Sequence, residues 1–177
     1  AQNPAPAPSN PNVVHETPTQ REPAKPAGTG FDLSAIYPGQ YEPIPYSRRW
    51  NYTQLSGKHK SAYVNLYNAV LNMQEGMIDL GKCTYGELVL IYNAVKNDFP
   101  ELFWIPDQFA YETDTSGNIR IAFKYTFSDG KRIDYLYSAK EREIMAAQIR
   151  SALMDALRYI NPEMGAYEKE LALHDWL

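Results

Sequence analysis

The segment Asp98–Trp104 places three aromatic side chains and a leucine within seven residues, around one proline. Before it, apolar residues recur with helical spacing, and after it they alternate as they do in β-strands. A contiguous apolar patch of this kind is rarely left exposed on a soluble monomer, so both regions must cover it. We therefore predict an α+β domain in which helices and a sheet together bury Phe99, Leu102, Phe103 and Trp104.

Two helices are predicted before this segment. The first spans about residues 56–73, where one helical face carries five apolar or tyrosine side chains: Tyr63, Leu66, Tyr67, Val70 and Leu71. The second follows the capping box formed by Thr84 and Glu87. It ends before Pro100, because proline disfavours a helical conformation in the residue that precedes it.

Two further helices are predicted near the C-terminus. One follows a capping box at Ser138 and Glu141 and extends to about Ile160. Its spacing predicts a buried stripe of Met145, Ile149, Ala152, Leu153, Ala156, Leu157 and Ile160. The other begins near Gly165 and carries a stripe of Tyr167, Leu171 and His174.

Between these helical regions, the pattern predicts a small antiparallel three-strand β-meander. Apolar residues alternate with polar ones from Ile119 to Phe127, and Asp129-Gly130 is a hairpin signal after which the alternation resumes toward Tyr137. A preceding strand is predicted at 109–113, across the turn at 116–118. Residues 77–80 are predicted to be extended.

Composition divides the chain into three parts. Residues 1–30 are mostly Pro, Ala, Asn, Thr, Gln and Gly, and they carry too little apolar area to offset the entropy lost on ordering. We interpret them as a disordered, proline-rich spacer; the alternative is a peptide ligand for a proline-binding groove. Residues 31–52 are interpreted as an extended strap, and residues 53–177 as the α+β domain.

Charge and cysteine content exclude several functional classes. The net charge of −4 argues against a general nucleic-acid-binding protein, which needs a basic face. No apolar run approaches the roughly 20 residues that span a bilayer. Cys83 is the only cysteine, so the chain cannot contain an internal disulfide. The N-terminal sequence predicts where the protein is located. An Ala-Gln start before a proline-rich stretch is typical of a mature secreted protein, and we expect an extracellular or cell-surface location.

No catalytic or metal-binding constellation is evident in the sequence. Cys83 has no activating group near it in sequence. His15 lies in the spacer, and His59 lies between two lysines near a helix start. Asp175 is poorly placed to orient His174, because neighbouring residues diverge by about 100° on a helix. The spacing of histidines and cysteine matches no metal site, and no phosphate-binding loop is present. We expect no cofactor. The predicted binding residues are instead two aromatic side chains, Trp50 and Tyr37.

Three stretches together resemble a known arrangement. They are the segment 50–56 (WNYTQLS), the segment 97–104 (NDFPELFW) and the C-terminal segment 167–177 (YEKELALHDWL). They are similar to the region that precedes the catalytic core in secreted bacterial transglutaminase-like proteins, a superfamily with a papain-like Cys-His-Asp triad. In that family a helix of the last type introduces the core, and the catalytic cysteine, histidine and aspartate follow it. No residue of this chain therefore corresponds to the triad, and Cys83 does not match.

The resemblance implies a noncatalytic accessory domain that positions or shields a downstream core of the same polypeptide. The alternative is a free-standing cell-surface module that binds cell-wall glycan or protein through Trp50 and Tyr37. An enzyme in its own right is a third hypothesis. The gene sequence beyond Leu177 distinguishes the first two, because the accessory domain requires a following core with a cysteine, a histidine and an aspartate.

Overall fold

The computed structural model describes the backbone of residues 13–15 and all of residues 31–38 and 44–177. These residues belong to two compact units. Of the described residues, the first unit comprises 13–15, Phe31 and Pro45–Leu136, and the second comprises 32–38, Ile44 and Tyr137–Leu177. The division at Leu136 lies inside the range 53–177 that the sequence analysis treats as one domain.

The main sheet of the first unit has four strands in the order β1-β3-β4-β2. They are β1 (Val13–His15), β2 (Ile78–Lys82), β3 (Phe109–Thr113) and β4 (Asn118–Ala122). Strands β2 and β3 both pair antiparallel with β4, whereas β1 pairs parallel with β3. With the helices described below, this sheet confirms the predicted α+β class.

The membership of the sheet differs from the predicted meander. The third antiparallel strand is β2, which overlaps the segment 77–80 that was predicted to be extended. The hairpin at Asp129-Gly130 forms instead a separate two-stranded sheet of β5 (Tyr125–Thr126) and β6 (Arg132–Ile133). The reason lies after β4, where three consecutive residues, 121–123, are fully buried and therefore break the two-residue alternation of a strand.

Strand β1 lies within the predicted spacer. Two consecutive β-branched valines favour extended backbone, and the outer edge of β3 offers unpaired hydrogen-bonding groups. The rest of the disordered, proline-rich segment predicted for residues 1–30 lies outside the described residues. Residues 31–52, predicted as an extended strap, contain two 3₁₀ turns, Leu33–Ala35 and Tyr46–Arg48, and the start of the first helix.

Five α-helices are present in the described part of the chain: α1 (Trp50–Gln54), α2 (Gly57–Leu71), α3 (Tyr85–Asp98), α4 (Ala139–Ala156) and α5 (Ala166–Trp176). Both predicted capping boxes are formed. The Glu87 carboxylate accepts a hydrogen bond from the Thr84 amide at 2.7 Å, and the Glu141 carboxylate accepts one from Ser138 at 2.8 Å. None of these helices is long and apolar enough to cross a membrane.

The aromatic segment lies in the core of the first unit, as predicted. Trp104 is completely buried, and its indole Nε1 donates a 2.8 Å hydrogen bond to the carbonyl oxygen of Val70 at the end of α2. The rings of Phe31 and Phe103 meet the indole edge-on, with centroids 5.2 and 5.1 Å away. Phe103 alone among the four predicted core residues is partly exposed.

The predicted buried stripe of α4 is covered only in part. Ala152 and Leu153 are exposed, whereas the other predicted residues are buried or partly buried: Met145, Ile149, Ala156, Leu157 and Ile160. Arg142 and Ala146, which the prediction did not include, are also buried. The apolar residues of α4 form a broad band, so their spacing predicts a helix without fixing which part of it is covered. In α5, the predicted stripe of Tyr167, Leu171 and His174 is exposed.

Candidate functional site

The carboxylate of Asp98, the last residue of α3, is a buried hydrogen-bonding centre. The residue is only 5% exposed. Its Oδ1 accepts hydrogen bonds from the backbone amide of Asn51 (3.0 Å) and from the Asn51 side chain (2.8 Å). Its Oδ2 accepts from the amide of Tyr52 (2.9 Å) and from the hydroxyl of Tyr63 (2.8 Å).

Asp98 therefore caps a helix that is remote in sequence. The first amides of a helix have no partner within the helix, and Arg49 at the N-cap of α1 supplies none. The Asp98 carboxylate takes that role from the end of α3, and its negative charge is favourable at the N-terminus of α1. A helix of five residues is not stable alone, so this contact fixes where α1 lies.

A second polar contact holds the residue before Trp50. The Arg49 guanidinium forms an ion pair with Glu101, and the two side chains are only 13% and 7% exposed. The same guanidinium lies over the ring of Phe99, 4.5 Å from its centroid. Cation–π and ionic contacts thus anchor the entry to α1 on the segment that follows α3.

Aromatic side chains pack against α1 through its residue Tyr52. Tyr52 makes edge contacts with Tyr46 and Tyr63, at centroid distances of 5.3 and 5.1 Å, and Tyr67 stacks on Phe99 at 4.3 Å. Burial raises the pKa of Tyr63 well above its ordinary value, and the hydrogen bond to Asp98 and the charge of that carboxylate raise it further. Tyr63 therefore stays protonated and donates to Asp98.

Trp50 is left out of all these buried contacts. Its side chain is 74% exposed, although Arg49, Asn51 and Tyr52 on either side are anchored. Thr53 and Gln54 follow at the i+3 and i+4 positions, which share a helical face with Trp50, and both are exposed. The Thr53 hydroxyl donates to the carbonyl of Trp50 at 2.7 Å, and the Gln54 amide donates to Thr53 Oγ1 at 3.2 Å. We call these three residues the Trp50 face.

The structure separates the two predicted binding residues by unit. Trp50 belongs to the first unit and is exposed, as a binding residue must be. Tyr37 belongs to the second unit and is partly buried. Sequence reasoning missed Asp98 as the residue that positions Trp50. A signal was present, because an aspartate at the C-terminal end of a helix is electrostatically unfavourable and needs another role.

Cys83 lies near the charged groups Glu87, Lys58 and Asp79, but its environment does not activate it. Burial raises the pKa of the Cys83 thiol, and the nearby negative charge of Glu87 raises it further. The Nε2 atom of His59 lies 3.0 Å from Glu87 Oε1. Within the described ranges, the Cys83 sulfur makes no hydrogen bond to a base. A protonated, buried thiol is a poor nucleophile.

The second unit contains an open groove of about 640 Å³ lined by residues of α4, the following turn and α5. Its central carboxylate, Asp155, already accepts hydrogen bonds from Arg158 (3.3 Å) and from the indole of Trp176 (3.2 Å). These internal contacts satisfy the groove's charged groups. The Trp50 face is therefore the stronger candidate site.

Neither a search for metal-binding clusters nor a comparison with known proteins identifies another candidate site. Among residues 31–38 and 44–177, no group of three or more His, Cys, Asp or Glu side chains is placed to hold a metal ion. No family model, curated protein or solved structure matches this chain.

Proposed function

We propose that this chain is a noncatalytic binding domain and that the Trp50 face is its ligand-binding surface. One observation carries the proposal. Arg49, Asn51 and Tyr52 are each tied to the end of α3 or to the segment after it, while Trp50 between them is directed into solvent.

A single exposed aromatic side chain is common on protein surfaces and needs no explanation by itself. Trp50 differs because the backbone on both of its sides is fixed by buried polar contacts. Because this backbone is already ordered, a ligand that contacts Trp50 does not have to order it, so more of the contact energy appears as affinity. Tryptophan is also the side chain most enriched among residues that dominate binding energy.

The environment of Cys83 favours binding over covalent chemistry for this chain. Cysteine catalysis needs a thiolate, and burial together with Glu87 raises the pKa of this thiol. His59 is engaged by Glu87, the carboxylate of the α3 capping box, with its Nε2 3.0 Å from Oε1.

The test is a comparison of Trp50→Ala with Tyr167→Ala in binding to cell-wall material and to extracellular surface proteins. Tyr167 is an equally exposed aromatic residue, 76% against 74%, and lies on α5. We expect Trp50→Ala to lose at least about 2 kcal/mol of binding energy without a change in the midpoint of denaturation. Tyr167→Ala should bind as the wild type does. Equal binding by the wild type and Trp50→Ala would contradict the assignment of the Trp50 face as the binding surface.

The narrower hypothesis, an accessory domain of a secreted transglutaminase-like protein, is supported by the sequence resemblance and by the helical conformation of 166–176. In that hypothesis α5 introduces a downstream catalytic core. His174 Nδ1 lies 3.6 Å from Asp175 Oδ1, too far for a hydrogen bond, and both side chains are exposed. The gene sequence after the codon for Leu177 tests it: a core containing cysteine, histidine and aspartate in that order is expected.

A further inference from the structure

Helix α1 presents no charged group on the face that carries Trp50. Its sequence, Trp-Asn-Tyr-Thr-Gln, is uncharged at neutral pH. The adjacent cation, Arg49, is neutralised by Glu101 and mostly buried. We infer that the ligand of the Trp50 face is an uncharged saccharide chain. This inference rests on the proposed function and names the ligand class of the same site.

The indole of Trp50 suits one face of a pyranose ring. The ring carbons of many sugars direct several C–H bonds to the same side, which gives the sugar a weakly positive, apolar face. The aromatic face carries the negative part of its quadrupole, so the two surfaces attract and also exclude water. Such stacking needs an open aromatic surface rather than a closed pocket, and Trp50 provides one on a backbone that is held on both sides.

Thr53 and Gln54 supply the polar part of the contact. A hydroxyl and a carboxamide together offer donors and acceptors without charge, and sugar hydroxyl groups need both. The Gln54 amide keeps a second N–H and its carbonyl oxygen for a ligand after its hydrogen bond to Thr53. The i, i+3, i+4 spacing places these groups beside the indole rather than behind it.

Two rival ligand classes are less well matched. A protein partner generally buries such a tryptophan in a well-packed interface core enriched in other aromatic side chains. The exposed side chains that share a helical face with Trp50 on α1 are instead Thr53 and Gln54. An acidic polymer requires exposed cations that are not already engaged. Of the lysines that follow α1, Lys58 is paired with Glu87 at 2.8 Å, and Lys60 lies over the ring of Tyr52, 5.2 Å from its centroid. Arg48 is the exposed cation that precedes α1. Arg48 therefore distinguishes neutral from acidic ligands experimentally.

The experiment measures binding of the full chain to cellohexaose and chitohexaose, both neutral. Hexagalacturonate is the acidic probe, and a Pro-Ala-Pro-Ala-Pro peptide is the peptide probe. Calorimetry gives the dissociation constants for the wild type and for Trp50→Ala, Thr53→Val, Arg48→Gln and Tyr167→Ala. We expect a neutral hexasaccharide to bind, Trp50→Ala to weaken it about thirtyfold or more, and Thr53→Val about two- to tenfold. Arg48→Gln and Tyr167→Ala should leave its affinity unchanged.

Each of the other possible results would contradict either the ligand class or the position of the binding surface. Preference for hexagalacturonate, lost in Arg48→Gln, would overturn the neutral ligand class and leave the Trp50 face as the binding surface. Binding of the peptide alone, lost in Trp50→Ala, would do the same. Saccharide binding that persists in Trp50→Ala would overturn the site. Failure of all probes would overturn the saccharide assignment, and the cell-wall and surface-protein assay then decides the proposed function separately.

Discussion

At the scale of single residues, Asp98 determines how the candidate site is held. Two carboxylate oxygens receive four hydrogen bonds, two of them from backbone amides of α1. Sequence reasoning placed this residue at the edge of an aromatic segment and predicted the burial of that segment. The partner helix was not predictable, because nothing in a local pattern indicates that a carboxylate caps a helix 47 residues earlier.

Removing the Asp98 carboxylate is expected to release α1. Asp98→Ala leaves four donors without their acceptor in a mostly buried site, at a cost of about 3 kcal/mol or more. Asp98→Asn should be less destabilising, since one amide oxygen still accepts while the NH₂ group opposes the remaining donors. Hydrogen exchange measures the local effect: the amides of Asn51 and Tyr52 should exchange faster in both variants, and more so in the alanine variant. Unchanged exchange at these two amides would contradict the capping role.

At the scale of helices and strands, features set by residues close in sequence were predictable, and features set by distant segments were not. Both capping boxes were predictable, because their donor and acceptor lie three residues apart and the interaction is local. The extent of burial along α4 was not, since its apolar band is broad and tertiary packing selects which part of it is covered. The third strand of the sheet depends in the same way on which distant segment reaches β4.

The capping box of α3 predicts a specific dependence of stability on pH. The pKa of Glu87 is lowered to about 2, first by the hydrogen bond from Lys58, then by the Thr84 amide and by His59. Because this pKa lies below the unfolded value of 4.5, the contribution of Glu87 is fully present above about pH 4.5 and is lost as the pH falls toward 2. Glutamine at position 87 can still cap the helix but cannot form the ion pairs.

The measurement is the melting temperature of the wild type and Glu87→Gln between pH 7 and pH 2. The wild type should be more stable at pH 7, and the difference should shrink below pH 4.5. Glu141→Gln is the matched control, because that capping box lowers the pKa of Glu141 through Ser138 alone. At neutral pH, the melting temperature of Glu141→Gln should differ from that of the wild type by less than that of Glu87→Gln does. A gap between wild type and Glu87→Gln that is constant across this range would contradict the ion-pair assignment.

At the scale of the whole molecule, the aromatic segment was the most informative part of the sequence. The helical spacing before it and the alternation after it predicted the α+β class. Its own composition predicted a buried position between helices and strands, because so many large apolar groups have few alternatives to a core. The division into two units was not predictable, since α4 and α5 carry periodic apolar residues that remain partly exposed. Periodicity indicates a helix and does not state how much of it is covered.

The same residue type at two positions gives a test of this architecture. Trp104 is fully buried and donates to Val70, whereas Trp50 is mostly exposed in the same unit. Trp104→Ala should cost about 3–5 kcal/mol through lost burial, a cavity and an orphaned carbonyl, which is a large fraction of a small domain's stability. Trp50→Ala should change the free energy of unfolding by less than about 0.5 kcal/mol. Urea denaturation followed by far-UV circular dichroism compares the two, and a Trp104→Ala midpoint equal to that of Trp50→Ala would contradict the core assignment.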